Sequence, residues 1–202
     1  ANLRDANLEL SDLAGADLCN ADLAGADLSL AELKDVKLND ATKLDDKWRL
    51  VWEIVNRGGA AGRDLSRADL DSARLCHADF TDANLSGANL GDANLWNCQF
   101  NGVNLQGANL GNAIVDYANF SNANLQSANL HGIGTGGIKF CHADLRDANL
   151  RGVLLENTDF CGANLTNADL SYAKLWGGNF NDTNLSGVLL ENAEINTNFS
   201  GV

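Results

Sequence analysis

Proline and methionine are absent from this chain of 202 residues, and basic and aromatic residues are scarce. Lys and Arg number 14 against 27 Asp and Glu, so the net charge is −13, which argues against direct nucleic acid binding through a basic surface. No apolar run reaches the roughly eighteen residues that a transmembrane helix needs. The five cysteines are an odd number and do not suggest a disulfide framework. Apolar residues still make up 45% of the chain, enough to form a core.

The abundant residues form a five-residue repeat. Ala (28), Asn (27), Leu (32) and Asp (21) account for over half of the chain. The middle residue of each pentad, here called the centre, recurs at every fifth position from Leu3 to Leu38 and again from Leu65 to Ile195, and it is Leu or Phe except at Val115, Thr135 and Ile195. A period of five fits neither a helix nor a strand. It predicts a right-angled solenoid in which each centre, and the small residue two positions before it, face inward.

The phenylalanines indicate how many pentads complete one coil. Apart from the terminal Phe199 they recur every twenty residues, which is four pentads. We therefore expect four columns of pentads and name them first to fourth, starting after the interruption at Leu65, Leu70, Leu75 and Phe80. The fourth column is predicted to hold a core ladder of stacked rings, formed by Phe80, Phe100, Phe120, Phe140, Phe160 and Phe180.

The A-[DN]-L-x-x pattern of these pentads resembles the pentapeptide-repeat family over about nine-tenths of the chain. The resemblance implies an all-β fold, a right-handed quadrilateral β-helix whose adjacent coils pair as short parallel strands. The lack of proline fits such a ladder, because nearly every backbone N–H is needed. The segment KWRLVWEIVN is similar to one found in some cyanobacterial members. The chain starts at Ala1 without Met, which indicates a removed leader or a shortened chain. The location is therefore left open between the thylakoid lumen or periplasm and the cytoplasm.

Residues 41–64 interrupt the repeat between the N-terminal coils, 1–40, and the main repeat, 65–202. Apolar residues at helical spacing predict one amphipathic helix near 45–57, with Asp45 or Asp46 capping its start and Gly58 and Gly59 ending it. The predicted apolar face comprises Leu44, Trp48, Val51, Trp52 and Val55. We favour one continuous solenoid with the helix docked on its flank. Two pieces joined by the helix are the alternative, and a partner-binding role is the alternative to packing for its two Trp residues.

The third column departs from the others. In the first and second columns the residue before the centre is nearly always Asn or Asp, whereas in the third it reads Arg74, Asn94, Ile114, Gly134, Leu154, Lys174 and Glu194. We expect this column to be an interaction surface whose exposed anchors are Trp96, Tyr117, Leu154 and Trp176. The alternative is neutral drift at corners that tolerate another type of turn.

No catalytic, cofactor-binding or metal-binding constellation is predicted, because the three histidines fall on different columns or distant coils. Cys141 and Cys161 lie one coil apart, and whether they form a disulfide is left open. Cys98 takes an inward position and should be an inert core thiol. GIGTGG at 132–137 lacks the residues of a phosphate-binding loop and is expected to form a wider corner.

These observations favour a non-enzymatic structural or protein-interaction scaffold with an unidentified protein partner and no cofactor. The alternative is a DNA mimic of the quinolone-resistance type, which binds DNA gyrase and which the chain resembles in expected fold and acidity. About twelve of the acids occupy the position before a centre, so the repeat itself explains much of the charge. Weak end-to-end self-association is a third prediction, since the exposed terminal coil would be an open sheet edge without a visible cap at Ala1.

Overall fold

The computed structural model describes residues 1–198 and contains one helix and four short strands. The helix α1 spans Asp46–Asn56, and the strands are β1 (Gly134–Gly136), β2 (Leu154–Glu156), β3 (Lys174–Asn179) and β4 (Glu194–Asn198). The strands form one parallel sheet in the order β1-β2-β3-β4. Paired residues of β1 with β2 and of β2 with β3 lie twenty positions apart, so the short parallel strands expected from the repeat are confirmed.

The same pairing extends far beyond the named strands. Single-residue parallel bridges join Asn2 to Asp22 near the start and Asp169 to Leu189 near the end. We call each twenty-residue stretch a rung. The spacing between rungs is the one that the phenylalanines predict, and it brings residues of one column next to each other.

A tight turn closes each pentad and explains why Asn and Asp precede the centres. The residue two positions after the centre adopts a left-handed conformation, as Asn122 does with φ 59° and Gly102 with φ 66°. The Asn or Asp side chain accepts the N–H two residues ahead, as Asn84 does from Ser86 at 3.2 Å. Short polar side chains favour such local hydrogen bonds over regular strand geometry.

The Asn side chains also link neighbouring rungs. In the second column the Asn109 amide donates to Asn89 at 2.9 Å and in turn accepts from Asn129 at 2.8 Å. The first column repeats this with Asn104 and Asn124, where the distance is 3.1 Å. An amide can donate and accept at once, so it forms a continuous ladder that a carboxylate can only terminate.

These turns predict a loss of stability in acid. Hydrogen bonds from the Thr81 hydroxyl and N–H lower the pKa of Asp79, and those of Ser171 act likewise on the pKa of Asp169. A folded pKa below the unfolded value of about 3.9 stabilises the folded state at neutral pH, and this contribution is lost as the pH falls below about 4. The urea midpoint should therefore fall between about pH 5 and about pH 3.

The matched variant D79N/D169N keeps the turn acceptors as neutral amides. Its urea midpoint should fall less over the same pH range than that of the wild type. An identical fall in both proteins would show that these carboxylates do not contribute to acid sensitivity.

The interior is filled by centres and by small residues two positions before them. The six phenylalanines of the fourth column are at most 2% exposed. Successive rings are stacked with centroids 4.7 to 5.2 Å apart. Phe199 lies outside the described residues. The rings form a continuous apolar column along the rungs.

The inserted helix buries a different set of side chains from the predicted face. Trp48, Val51, Trp52 and Ile54 are buried, whereas Val55 is half-buried and Leu44 precedes the helix. Ile54 was missed because helical spacing alone places it beside the apolar stripe. It becomes buried because α1 packs against the repeats on more than one side, sharing a hydrophobic cluster with residues from both repeat segments.

Side chains of α1 form hydrogen bonds with backbone groups of the rung at 21–40. The Asn56 amide donates to Leu33 O at 2.9 Å and accepts the Asp35 N–H at 2.6 Å. Trp52 Nε1 donates to Val36 O at 2.7 Å. Asp45 holds the N-cap position of α1, yet its carboxylate accepts the Gly25 N–H at 3.3 Å instead of capping the helix. The helix therefore provides hydrogen-bond partners for backbone groups that would otherwise pair with a further rung.

The two repeat segments also touch directly beside the helix. The Leu30 N–H donates to Ser72 O at 2.7 Å. Glu32 and Arg74 form an ion pair of 3.0 Å. Both contacts join the second rung to the first rung of the main repeat, in the second and third columns.

The GIGTGG segment does not form the expected wider corner. Gly134–Gly136 is the extended strand β1, paired with Leu154–Glu156. A Cβ at Gly134 would lie 3.1 Å from Leu154 O, so a side chain there would crowd the neighbouring strand. Thr135 is exposed although it holds a centre position. Ile133 and Ile138 replace the usual Ala residues and are fully buried, so they supply the core volume that the exposed centre does not.

Candidate interaction surface on the third column

The sheet β1–β4 belongs to the third column, so this column has the longest extended segments among residues 1–198. Its solvent-facing residues directly after the centres follow one line across the rungs. In rung order they are Trp96, Asp116, Gly136, Glu156 and Trp176. The register is set by the pairs Gly136 with Glu156 and Glu156 with Trp176. At about 4.8 Å per rung, Trp96 and Trp176 lie about 19 Å apart along the column.

An aromatic cluster covers the N-terminal half of this surface. Trp96 meets His77 edge-on with ring centroids 4.6 Å apart, and Tyr117 edge-on at 6.4 Å. The Tyr117 ring lies against Gly137, where an added Cβ would come within 2.7 Å of Tyr117 Cδ1. The glycine therefore makes room for the ring. We call His77, Trp96 and Tyr117 the aromatic cluster.

The proposed anchors differ in exposure. Tyr117 is 60% exposed, Trp96 39% and Trp176 37%. Leu154 is half-buried within β2. Trp176 lies in another rung from the aromatic cluster and has Lys174 Nζ 5.9 Å from its ring centroid. The structure thus brings Trp96 and Tyr117 together and places Trp176 apart from them.

Ile114 is an exposed residue of this surface that is not among the anchors predicted from the sequence. Its side chain is 44% exposed, and its backbone pairs with Asn94 and Gly134. The signal was present, since an apolar residue replaces Asn or Asp before the centre. His77 was also missed, because its contact with Trp96 depends on turn geometry rather than on spacing.

Two carboxylates flank a bare rung in the middle of the surface. The exposed side chain between Asp116 and Glu156 is Thr135, because the residues around it, Gly134, Gly136 and Gly137, have no side chains. Within residues 1–198 neither carboxylate has an ion-pair partner, whereas Lys174 pairs with Glu194 at 3.3 Å. We call this feature the glycine notch, bounded by Asp116 and Glu156.

A cleft of about 340 Å³ lies where α1 ends against the third column. It is lined by Lys34, Arg74 and His77 together with apolar residues of the helix, such as Ile54. No spacing in the sequence could reveal it, because it arises from the position of the helix between the rungs.

Two of the cysteines, Cys98 and Cys141, have thiols of low reactivity. Cys98 is buried, its Sγ donates to Leu75 O at 2.9 Å, and burial raises the pKa of its thiol. Burial and the nearby Asp159 raise the pKa of Cys141 to about 11. A thiol with a raised pKa is a weak nucleophile at neutral pH. Cys141 and Cys161 are neighbours in adjacent rungs and are both free thiols.

Across the part of the chain that the structure describes, no three His, Cys, Asp or Glu side chains come together as metal ligands. In the same part, no helix is long and apolar enough to cross a membrane.

Short parallel bridges every twenty residues and a five-residue sequence unit together define a repeat protein of stacked rungs. The sequence model for pentapeptide repeats matches eight copies, within residues 1–40, 64–97, 78–115, 104–133, 143–182 and 167–202. The chain belongs to the pentapeptide-repeat family, as the A-[DN]-L-x-x pattern predicted.

Several solved pentapeptide-repeat proteins are similar to this chain. HetL of the cyanobacterium Nostoc sp. strain PCC 7120, involved in heterocyst differentiation regulation, is 30% identical over 96% of this chain and 86% of HetL, with a TM-score of 0.32. A protein of the Arabidopsis thaliana thylakoid lumen is 34% identical over 55% of this chain and 68% of its own, with a TM-score of 0.36.

A third similar structure is QnrB1, a plasmid-mediated fluoroquinolone resistance protein. It is 20% identical over 67% of this chain and 83% of QnrB1, with a TM-score of 0.42. A comparison with curated protein sequences finds no match.

Proposed function

We propose that this chain is a non-enzymatic protein-interaction scaffold whose third column binds a protein partner. The carrying observation is the distribution of exposed apolar side chains. Of nine exposed large hydrophobic residues in the described part of the chain, five lie in the third column: Trp96, Ile114, Tyr117, Trp176 and Ile195. Aromatic side chains presented together on a surface are typical anchors of protein interfaces.

The proposed architecture is one continuous right-handed quadrilateral β-helix with α1 docked against it. Parallel pairing every twenty residues supports the coil, and the contacts Leu30–Ser72 and Glu32–Arg74 support continuity between 1–40 and 65–202. Backbone hydrogen bonds and stacked rings keep such a wall rigid. A rigid surface loses little conformational entropy when a partner binds, which favours a binding role.

An enzymatic role has less support. Catalysis needs a nucleophile or base and its partners within hydrogen-bond reach of one another. Here the thiol of Cys98 is buried in the core, and His131 Nδ1 contacts the Arg151 carbonyl at 2.7 Å. No observation on the described residues favours the DNA-mimic alternative either, since acids such as Asp64 and Asp79 are engaged in the turns of the repeat. End-to-end self-association stays a prediction.

Affinity capture from the source organism's lysate tests the role of the third column. The variant W96S/W176S removes two aromatic anchors, and we expect proteins held by the wild type to be depleted by about tenfold or more. The control Q106S/Q126S introduces two Ser residues at the corresponding positions of the first column, directly after the centres, and should capture as the wild type does.

Unchanged capture by W96S/W176S, with its thermal unfolding also unchanged, would refute the third column as the binding surface. A gyrase supercoiling assay tests the DNA-mimic alternative. We expect no inhibition by the wild type, and inhibition would favour DNA mimicry.

A further inference from the structure

We propose that the glycine notch of the third column docks an extended, arginine-bearing segment of the partner protein. This inference rests on the proposed function and specifies the chemistry of the partner. The central observation is geometric. Asp116 and Glu156 lie in the rungs on either side of the one that contains Thr135, and in that rung the residues next to the exposed Thr135 are glycines. Their backbones are two rungs, or about 10 Å, apart, which leaves room for one side chain between the carboxylates.

The two carboxylates are available to a cation from outside. The basic residues of this column are already engaged within the chain, Arg74 with Glu32 at 3.0 Å and Lys174 with Glu194 at 3.3 Å. Asp116 Oδ1 accepts the Gly136 N–H at 3.4 Å, which orients this carboxylate toward the bare rung. The chain as a whole carries a net charge of −13, so its field attracts a basic segment.

The aromatic cluster favours arginine over lysine in this place. Tyr117 borders the bare rung through its contact with Gly137 and is 60% exposed. A guanidinium can stack on such a ring and donate to carboxylates in its own plane, whereas an ammonium is a compact, strongly hydrated charge. The chain itself makes the same type of contact nearby, where the Arg151 guanidinium lies 4.3 Å from the Tyr172 ring centroid.

The backbone of the bare rung suits an extended ligand. Gly134 and Gly136 present no side chain, so a partner backbone can approach the sheet closely, as glycine permits elsewhere. Ile114 on one side and Leu154 on the other offer apolar surface to side chains that flank the arginine. The notch thus combines charge, a ring and a bare backbone on one sheet face.

Fluorescence polarisation with labelled peptides tests this inference. The probes are short glycine-rich peptides that differ only in carrying two Arg, two Lys or two Glu residues. We expect the diarginine peptide to bind the wild type, the dilysine peptide to bind more weakly, and the diglutamate peptide not to bind. Added salt should weaken diarginine binding, since the contact is largely electrostatic.

The variant D116N/E156Q should lose about tenfold or more in diarginine affinity. The control D82N/D182N removes the same two charges from the fourth column and should bind as the wild type does. A third variant, Y117L, should bind both basic peptides with similar affinity, because the stacking ring is gone.

Equal losses in D116N/E156Q and D82N/D182N would overturn the inference, since binding would then follow net charge alone. Failure of the diarginine peptide to bind the wild type would also overturn it. In either case, capture that depends on Trp96 and Trp176 would show that the proposed function still stands. Loss of that dependence would instead refute the proposed function.

Discussion

Replacing Phe120 with Ala is expected to lower the free energy of unfolding by about 3–5 kcal/mol. Phe120 is fully buried, and its ring stacks between Phe100 at 4.7 Å and Phe140 at 5.2 Å. The neighbouring rungs cannot collapse into the vacated space, because backbone hydrogen bonds hold them at a constant spacing. Phe100 N, for example, donates to Asn119 O at 2.8 Å. Chemical denaturation followed by circular dichroism measures the loss.

The variant F120L is the matched control. Leu is the usual centre in the other columns and fills most of the space that Phe120 occupies. We expect F120L to lower the free energy of unfolding by about 1–2 kcal/mol. If F120A proved as stable as the wild type, the stacked ring column would not be a major source of stability.

Trp52→Ala should lower stability by a similar amount, about 3–5 kcal/mol, and should also separate the unfolding of the two repeat segments. The Trp52 side chain is 8% exposed and lies within the cluster that α1 shares with both segments. Its indole is bonded to Val36 O at 2.7 Å, so Ala leaves a cavity and an unpaired buried carbonyl. Thermal unfolding should change from one transition to two, with residues 1–40 unfolding first.

Two further variants serve as controls for W52A. W52F keeps most of the packing but removes the indole N–H, and we expect a loss of about 1–3 kcal/mol. W96F, on the exposed face of the third column, should change stability by less than about 0.5 kcal/mol. A single transition in W52A, at wild-type stability, would show that α1 does not couple the segments.

Much of the architecture could be predicted because the repeat acts locally and regularly. Each Asn or Asp before a centre accepts a hydrogen bond within its own pentad, and each centre meets the one twenty residues away. The Phe spacing therefore predicts which residues are neighbours, and the departing third column can be identified without coordinates. The positions of Trp96 and Tyr117 in the repeat are enough to assign both residues to this column.

The features that escaped prediction depend on contacts between distant parts of the chain. Ile54 and Asn56 become structural residues only because α1 lies against the edge of the second rung, where Asn56 replaces a missing backbone partner. Thr135 is exposed because Ile133 and Ile138 fill the core around it, so the strand β1 replaces the expected corner.

The sequence by itself determined the family, the period, the assignment of residues to columns and most of the residues that fill the core, because a strict repeat of short local interactions leaves few alternatives. Only the tertiary structure decided where α1 lies, which of its side chains complete the second rung, and which surface residues meet. Trp96 meets Tyr117 edge-on with ring centroids 6.4 Å apart, because stacking makes neighbours of residues about twenty positions apart. Asp116 and Glu156, forty positions apart in the sequence, lie only two rungs from each other for the same reason. The absence of proline is explained in both ways, by a repeat that leaves no place for it and by a ladder that uses the backbone N–H groups.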